Sequence, residues 1–183
     1  MNNKLLCFEY VLTQLISWYK ELSPDDAELV SFTRLKVLKL LFFVATIRLN
    51  DTAPINEDND LLNIFDNFYA MQHGPVESDV YNAMVSSNLE HYDFKSLTIN
   101  IGTIDNNSFN TINRETRDRI DVSIQLLRNN NENIVLYTAA QLVELSHKWD
   151  CWKMVMHMAE LFSKGSMLMR VEIIRNSRKY FAL

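Results

Sequence analysis

The chain has 183 residues and is 48% hydrophobic, which is enough for one domain with a substantial core. Its formal net charge of −5 disfavours nucleic-acid binding, because proteins that bind phosphates usually present a basic face. The three glycines and two cysteines argue against glycine-rich phosphate loops and against a disulfide framework.

The sequence carries no pattern that predicts export or membrane insertion. The N-terminal segment contains Glu9 and Lys20 where a signal peptide would need a clean apolar run. The longest apolar run, 40–45, is far shorter than the ~20 residues that span a bilayer. Two cysteines suit a reducing compartment. We therefore expect a cytoplasmic protein that makes no contact with membranes.

Two helices are predicted in the first third of the chain. Residues 5–22 place apolar side chains at spacings of three and four, and Ser23-Pro24 provides a stop signal. A second helix is predicted to start after Thr33 and to run to about Leu49. It is apolar almost all round, which is typical of a central helix surrounded by protein. Lys36 and Lys39 share one face, and we expect each to reach solvent or to pair with an acid.

The next segment contains more breaks than regular structure. Residues 50–60 are polar, contain Pro54 and predict a loop. Residues 61–68 predict a short helix, and 69–71 fit either a helix or a strand. Gly74-Pro75 interrupts the chain, because proline fixes φ and glycine permits positive φ. Ser78 is expected to cap a helix that runs to about Val85.

A strand and a polar-faced helix follow. Residues 97–101 alternate apolar and polar side chains, which predicts a strand. After a loop at 105–110, a helix is predicted over about 113–129, and residues 129–133 form a surface connector. The side chains expected to face inward from this helix are Ile120, Ile124 and Leu127.

The C-terminal part predicts three further helices. Thr138 and Gln141 fit a capping box at the start of the first, and the second covers about 150–162. Lys164-Gly165-Ser166 separates it from a last helix that contains Leu168, Val171, Ile174 and Phe181. We find no internal repeat. The prediction is a mainly α, single compact multi-helix domain over 1–183, with room for a small two- or three-stranded β element.

The chemical motifs in the sequence are incomplete. His147 and Cys151 are four residues apart, with His157 nearby, but zinc needs three or four ligands at defined spacing. A small hydrolase would either bind a metal through His147 and Cys151 or use Cys151 as nucleophile and His147 as base. Cys151 lies between Trp149 and Trp152 in a segment typical of core, where burial would make a thiol inert. We predict no catalytic residue, no metal and no cofactor, and keep the hydrolase as an alternative.

Three stretches, in the same order, resemble the Panacea domain family, which includes the SocA antitoxin and GepA-like phage-associated proteins. Residues 35–42 (LKVLKLLF) are similar to the family's K-L-Q-K-L-L-Y helix, with Leu38 and Phe42 replacing Gln and Tyr. Residues 68–81 resemble its A-W-x-x-G-P-V…Y element, with Met71 in place of Trp. Residues 142–152 resemble its L-T-H…W element, and 174–181 its closing helix. The motifs extend over about 33–181.

The resemblance implies a mainly helical protein that binds and neutralises a cognate toxin by direct contact. It also implies an alternative, an adaptor that delivers a bound protein to an ATP-dependent protease. A DNA-binding regulator is a third hypothesis, which the acidic charge and the lack of a separate helix-turn-helix module disfavour. The oligomeric state is left open. The motif residues, which are also the candidate partner-binding residues, are Lys36, Lys39, Gly74, Pro75, Val76, Tyr81, His147 and Trp152.

Overall fold

The structure is a computed structural model that describes residues 3–26, 29–50, 60–94, 99–105 and 107–177. Over these ranges the chain is mainly α, with seven α-helices and five short strands. No described helix is both long enough and apolar enough to cross a membrane. The elements are α1 (Asn3–Leu22), α2 (Arg34–Thr46), β1 (Phe68–Met71), β2 (Gly74–Glu77), α3 (Ser78–Ser86), β3 (Tyr92–Asp93), β4 (Asn100–Ile101), α4 (Arg114–Asn130), α5 (Ala139–Ser146), α6 (Asp150–Leu161), β5 (Met167–Leu168) and α7 (Val171–Arg175).

Helix α2 lies at the centre of the core. The Thr33 side chain caps its first turn by accepting a hydrogen bond from Lys36 N–H, and a short 3-10 turn over Ile47–Asn50 follows its end. Every residue from Lys36 to Thr46 is buried, as the apolar circumference of the helix predicts. The helix packs against β2, α4 and α5, so it positions the elements that carry the other motifs.

Three of the strands form an antiparallel sheet in the order β2-β1-β5. The β1–β2 hairpin pairs Phe68 with Glu77 and Met71 with Gly74, and on the other edge of β1 Tyr69 pairs with Leu168. A separate pair joins β3 to β4. A small β element is thus confirmed. Of the strand predicted over 97–101, residues 100–101 form β4, while 97 and 98 lie outside the described residues.

The short helix predicted over 61–68 is wrong. Phe65 N–H donates to Leu61 C=O, which is a single helical turn that does not continue. The Asp60 carboxylate accepts a hydrogen bond from Leu62 N–H at the start of this turn. The chain then extends, because residues from Phe68 onward pair with β2 and β5 instead of with their own helix. The loop predicted over 50–60 falls largely on 51–59, which lie outside the described residues.

Two element boundaries also differ from the predictions. The residue that caps α3 is Glu77, whose carboxylate accepts from Val80 N–H at 2.8 Å, while Ser78 is already the first helical residue. Leu168 lies in β5 and not in the last helix, because its backbone pairs with β1. Helix α7 is consequently short, at Val171–Arg175, and Phe181 lies outside the described residues.

The first turn of α1 is joined to the hairpin by an ion-pair cluster around the buried Glu77 carboxylate. Lys4 Nζ lies 2.9 Å from the carboxylate of Glu77, which is fully buried, and 2.6 Å from each of Asp66 and Asp79. A buried carboxylate is stable when it is paired and hydrogen-bonded, and Glu77 has both Lys4 and the α3 backbone as partners. The cluster therefore fixes α1 against the β2–α3 connection.

Candidate functional site at the hairpin junction

Helices α2 and α5 meet the β1–β2 hairpin at Gly74. This residue has φ +89°, a conformation that glycine adopts without strain and other residues rarely adopt. A Cβ built there would overlap Ser146 Oγ and would come within 3.2 Å of Lys39 Nζ. Gly74 is therefore required both for its backbone conformation and for the close approach. We call this region the hairpin junction and define it as Lys39, Gly74, Pro75, Ser146, His147 and Trp152.

Lys39 crosses the junction from α2 to the hairpin. Its Nζ donates to Pro75 C=O at 2.5 Å, and its side chain is completely buried. Burial lowers the pKa of Lys39 to about 7, because the charged ammonium is poorly solvated there. The expectation that Lys39 would reach solvent or pair with an acid is therefore wrong, because its ammonium is buried and donates to a backbone carbonyl. The lysine instead joins the central helix to the backbone of β2.

His147 and Trp152 hold the other side of the hairpin. Their rings stack with centroids 3.8 Å apart and an interplanar angle of 7°. Trp152 Nε1–H donates to Met71 C=O at 3.0 Å. Burial is the main cause that lowers the pKa of His147, the nearby charge of Lys39 lowers it further, and a hydrogen bond to the backbone of Gln72 raises it. The α5–α6 connection is thus fastened to the hairpin at two consecutive residues, Met71 and Gln72.

The family model of the antitoxin SocA-like Panacea domain matches residues 37–153. This chain belongs to that family. The match begins inside α2, includes the hairpin and ends inside α6, so it encloses all the residues of the junction. A comparison with curated proteins found no match, and neither did a comparison with solved structures. The junction is therefore a feature of the part of this chain that the Panacea domain covers.

Lys36, which directly precedes the matched residues, lies in a different environment from Lys39, although the two are one turn apart in α2. Its Nζ lies 4.9 Å from the ring centroids of both Tyr19 and Phe32 and donates to Ser31 Oγ at 3.4 Å. Burial lowers the pKa of Lys36 to about 8, and the charge of Asp26 opposes this shift. Lys36 is buried and does not reach solvent, and cation–π contacts replace part of its hydration.

The remaining motif residues of the Panacea domain occupy separate places. Val76 is buried in β2 opposite Tyr69. Tyr81 is 40% exposed on α3, one turn before the exposed Val85. Five of the eight predicted site residues thus meet at the junction, and Lys36, Val76 and Tyr81 do not belong to it. Ser146 was not among the predicted site residues, although it occupies the Thr position of the L-T-H element that residues 145–147 resemble.

Cys151 is poorly suited to catalysis in the Panacea domain. It lies on the buried side of α6, in the first turn, and burial raises the pKa of its thiol to about 11. The thiolate, which is the nucleophilic form, is therefore scarce at neutral pH. Ser146, the other nucleophile near His147, is completely buried and donates to Val143 C=O at 2.8 Å. Cys151 lines a cleft between α6 and α7, so what disfavours it as a nucleophile is the raised pKa of its thiol.

The carboxylates of Asp66, Glu77 and Asp79 come close enough together to share a cation. In this structure the ammonium of Lys4 lies among them and accounts for their convergence. Metal binding would have to displace a lysine that is bonded to all three. The cluster therefore has a structural explanation within the part of the chain that is described.

Proposed function

We propose that this protein is an antitoxin that binds a cognate toxin protein and neutralises it by direct contact in the cytoplasm, without catalysis. The observation that carries the proposal is the match of the Panacea domain over residues 37–153. The high pKa of the Cys151 thiol and the burial of Ser146 are consistent with a binding role, because an enzyme of the cysteine or serine type needs an activated and accessible nucleophile.

We further propose that the motif residues divide between scaffold and binding surface. Lys36, Lys39 and the Gly74–Val76 segment are buried, so they act by setting the shape of the domain. Tyr81 is exposed, and His147 and Trp152 are half-buried, so these three can also contact a partner. A scaffold whose geometry is fixed before binding loses less entropy when it binds.

We also propose that the functional unit extends beyond the family match over the whole chain, 1–183. Helix α1 precedes the match, but its Lys4 pairs with carboxylates of the hairpin region. Strand β5 follows the match, but it pairs with β1. Deleting either element would break contacts of the matched region itself.

The test is growth of a bacterial host that expresses the neighbouring gene from an inducible promoter, alone or together with this protein. The proposal expects that the neighbour stops growth and that this protein restores it. The Gly165→Ala variant controls for the effect of a substitution as such, because a Cβ at Gly165 meets nothing within 4 Å. It should restore growth as well as the wild-type chain does. If the neighbour is toxic and this protein gives no relief, the antitoxin proposal fails.

An immunoblot of the toxin in rescued cells separates sequestration from adaptor activity. Direct neutralisation expects an unchanged toxin level, both in hosts that contain ATP-dependent proteases and in strains that lack them one at a time. An adaptor would lower the toxin level and would lose its effect when the cognate protease is deleted.

A further inference from the structure

Three basic side chains come together at the tip of the β1–β2 hairpin, where Gln72 and His73 form the turn. Lys39 comes from α2, His147 follows the last residue of α5, and His73 belongs to the turn itself. Burial lowers the pKa of His147 most, and the charges of Lys39 and then of His73 lower it further. The three groups therefore act on one another, and we call Lys39, His73 and His147 the tip cluster.

The tip cluster meets little compensating negative charge. Glu144 of α5 favours the charged form of His147, but this carboxylate is exposed to solvent. Glu77 lies at the opposite end of β2, where it is bonded to Lys4 and to the first turn of α3. Helix α6 presents the Trp152 ring to His147, and this ring carries no charge. Protons that bind at the tip therefore add like charges close to one another.

The surroundings of the two buried bases suit their neutral forms. His147 Nε2 is buried and has no hydrogen-bond partner among the described residues. In the imidazolium this nitrogen would carry an N–H without an acceptor, which is costly in a buried place. The ring cannot turn toward water without losing its stack on Trp152, whose centroid lies 3.8 Å away. Lys39 is completely buried and donates to Pro75 C=O, so its ammonium is also removed from water. Protonation of either base is therefore easier when the tip is open.

The contacts that hold the tip are separate from those that hold the base of the hairpin. At the tip, the side chains of Lys39, His147 and Trp152 all bond to backbone groups of the hairpin. At the base, β1 pairs with β5, and Lys4 pairs with the carboxylate at the end of β2. Gly74 lies between the two sets of contacts at φ +89°, and glycine can change its backbone angles at low cost. The tip can therefore separate while the base stays paired.

We propose that the tip cluster is a pH-sensitive switch, in which proton uptake releases the tip of the hairpin from α2 and from the α5–α6 connection. The opening is local and leaves the rest of the fold intact. It does not depend on the antitoxin function, because it concerns this chain alone. His147 and Trp152 are half-buried in the closed form, and they become accessible when the tip opens.

The pKa of Lys39 determines the smallest effect to expect. Burial lowers it to about 7 in the closed form, whereas a lysine that reaches water has a pKa near 10.4. These two values raise the equilibrium constant for opening by about fourfold between pH 7.5 and pH 5.5. The pKa of His147 is also lowered in the closed form, so His147 works in the same direction and adds to the rise.

The test is amide hydrogen exchange of the full-length chain at pH 7.5 and at pH 5.5, expressed as protection relative to the intrinsic rate at each pH. Protection of the amides over 71–76 should fall by about fourfold or more on acidification. Low concentrations of urea should leave exchange of these amides unchanged and accelerate exchange in the core of α2. The reason is that a local opening exposes little surface, whereas global unfolding exposes much.

Two variants assign the effect to the tip cluster. Lys39→Met should remove the fourfold share of the lysine, and His147→Asn should remove the share of the histidine while its amide keeps a donor for the backbone of Gln72. His157→Asn is the matched control, because it removes an exposed histidine of α6 and should respond to pH as the wild-type chain does. Circular dichroism verifies that each variant is folded, and either tip variant alone is sufficient for the test.

Three results would overturn the proposal. Equal protection of the hairpin amides at both pH values would mean that protons do not open the tip. Exchange of these amides that accelerates with urea as strongly as exchange in α2 would mean that the hairpin opens only by global unfolding. A pH response in the tip variants as large as in His157→Asn would mean that other groups cause the opening. A smaller response in the tip variants, with urea-independent exchange in the wild-type chain, supports the switch.

Discussion

Replacing Lys39 with methionine should remove a pH dependence of stability that the wild-type chain shows above pH 7. Lysine has a pKa near 10.4 in an unfolded chain, and burial lowers the pKa of Lys39 to about 7 in the folded protein. At pH values between these two pKa values, Lys39 carries a proton in the unfolded chain that it lacks in the folded protein. The free energy of unfolding therefore rises with pH across this window, by up to about 1.4 kcal/mol per pH unit, and the gain is absent below pH 7.

Between pH 7.0 and pH 8.5 these two pKa values raise the free energy of unfolding by about 2 kcal/mol through Lys39 alone. Lys36 adds a smaller rise, because its pKa is lowered only to about 8. Cys7 and Cys151 work in the opposite direction, since burial raises their pKa values to about 11, but thiols titrate mostly above this range. Lys36 and both thiols remain in Lys39→Met, so the difference between the two proteins isolates Lys39.

The assay is urea unfolding followed by circular dichroism at pH 7.0 and at pH 8.5. The free energy of unfolding should rise by about 2 kcal/mol more in the wild-type chain than in Lys39→Met over this interval, and the variant should be the more stable protein at pH 7.0. Lys20→Met, on the exposed side of α1, should keep the wild-type dependence. Parallel pH profiles for wild type and Lys39→Met would refute the reasoning, because Lys39 would then carry the same proton in both states.

Three further substitutions test the packing around the hairpin. Gly74→Ala should destabilise the fold by about 2 to 5 kcal/mol through positive φ and overlap with Ser146, and Gly165→Ala should be neutral in the same thermal unfolding assay. Lys4→Met should lower the free energy of unfolding by about 3 to 5 kcal/mol, because it leaves the buried Glu77 carboxylate without its cation. Asp66→Asn changes a side chain that is 57% exposed and should lower it by less than about 1 kcal/mol. Equal losses for the two variants in chemical unfolding would contradict this account. Trp152→Phe should cost about 1 to 2 kcal/mol by removing the donor to Met71 C=O, and protection of the hairpin amides from hydrogen exchange should fall with it.

Most of the helices could be predicted because their signals are local. The apolar circumference of α2 predicted its burial, and the capping box of Thr138 and Gln141 forms as predicted. The inward face of α4 is also confirmed, with Ile120, Ile124 and Leu127 all buried. In each case the periodicity or the cap lies within one helix, so no distant residue has to be known.

The sheet and the details of the site depend on contacts that are remote in sequence. The apolar residues at 61–65 fit a helix, and only the pairing of the next residues with β2 and β5 shows why the helix stops after one turn. The different fates of Lys36 and Lys39 could not be predicted, because their local sequence is the same apolar helix. The rings of Tyr19 and Phe32 lie beside Lys36, whereas Lys39 donates a hydrogen bond to Pro75 C=O.

The pairing of β1 with β5 cannot form until the ribosome has made both strands. The ribosome adds about 5 to 20 residues per second, so roughly 5 to 20 seconds separate the appearance of Tyr69 from that of its partner Leu168. During this interval one edge of β1 has unpaired backbone groups that other strands can join. Until β5 is synthesised, this edge of β1 is therefore open to pairing with any other extended segment, and the arrival of β5 closes it.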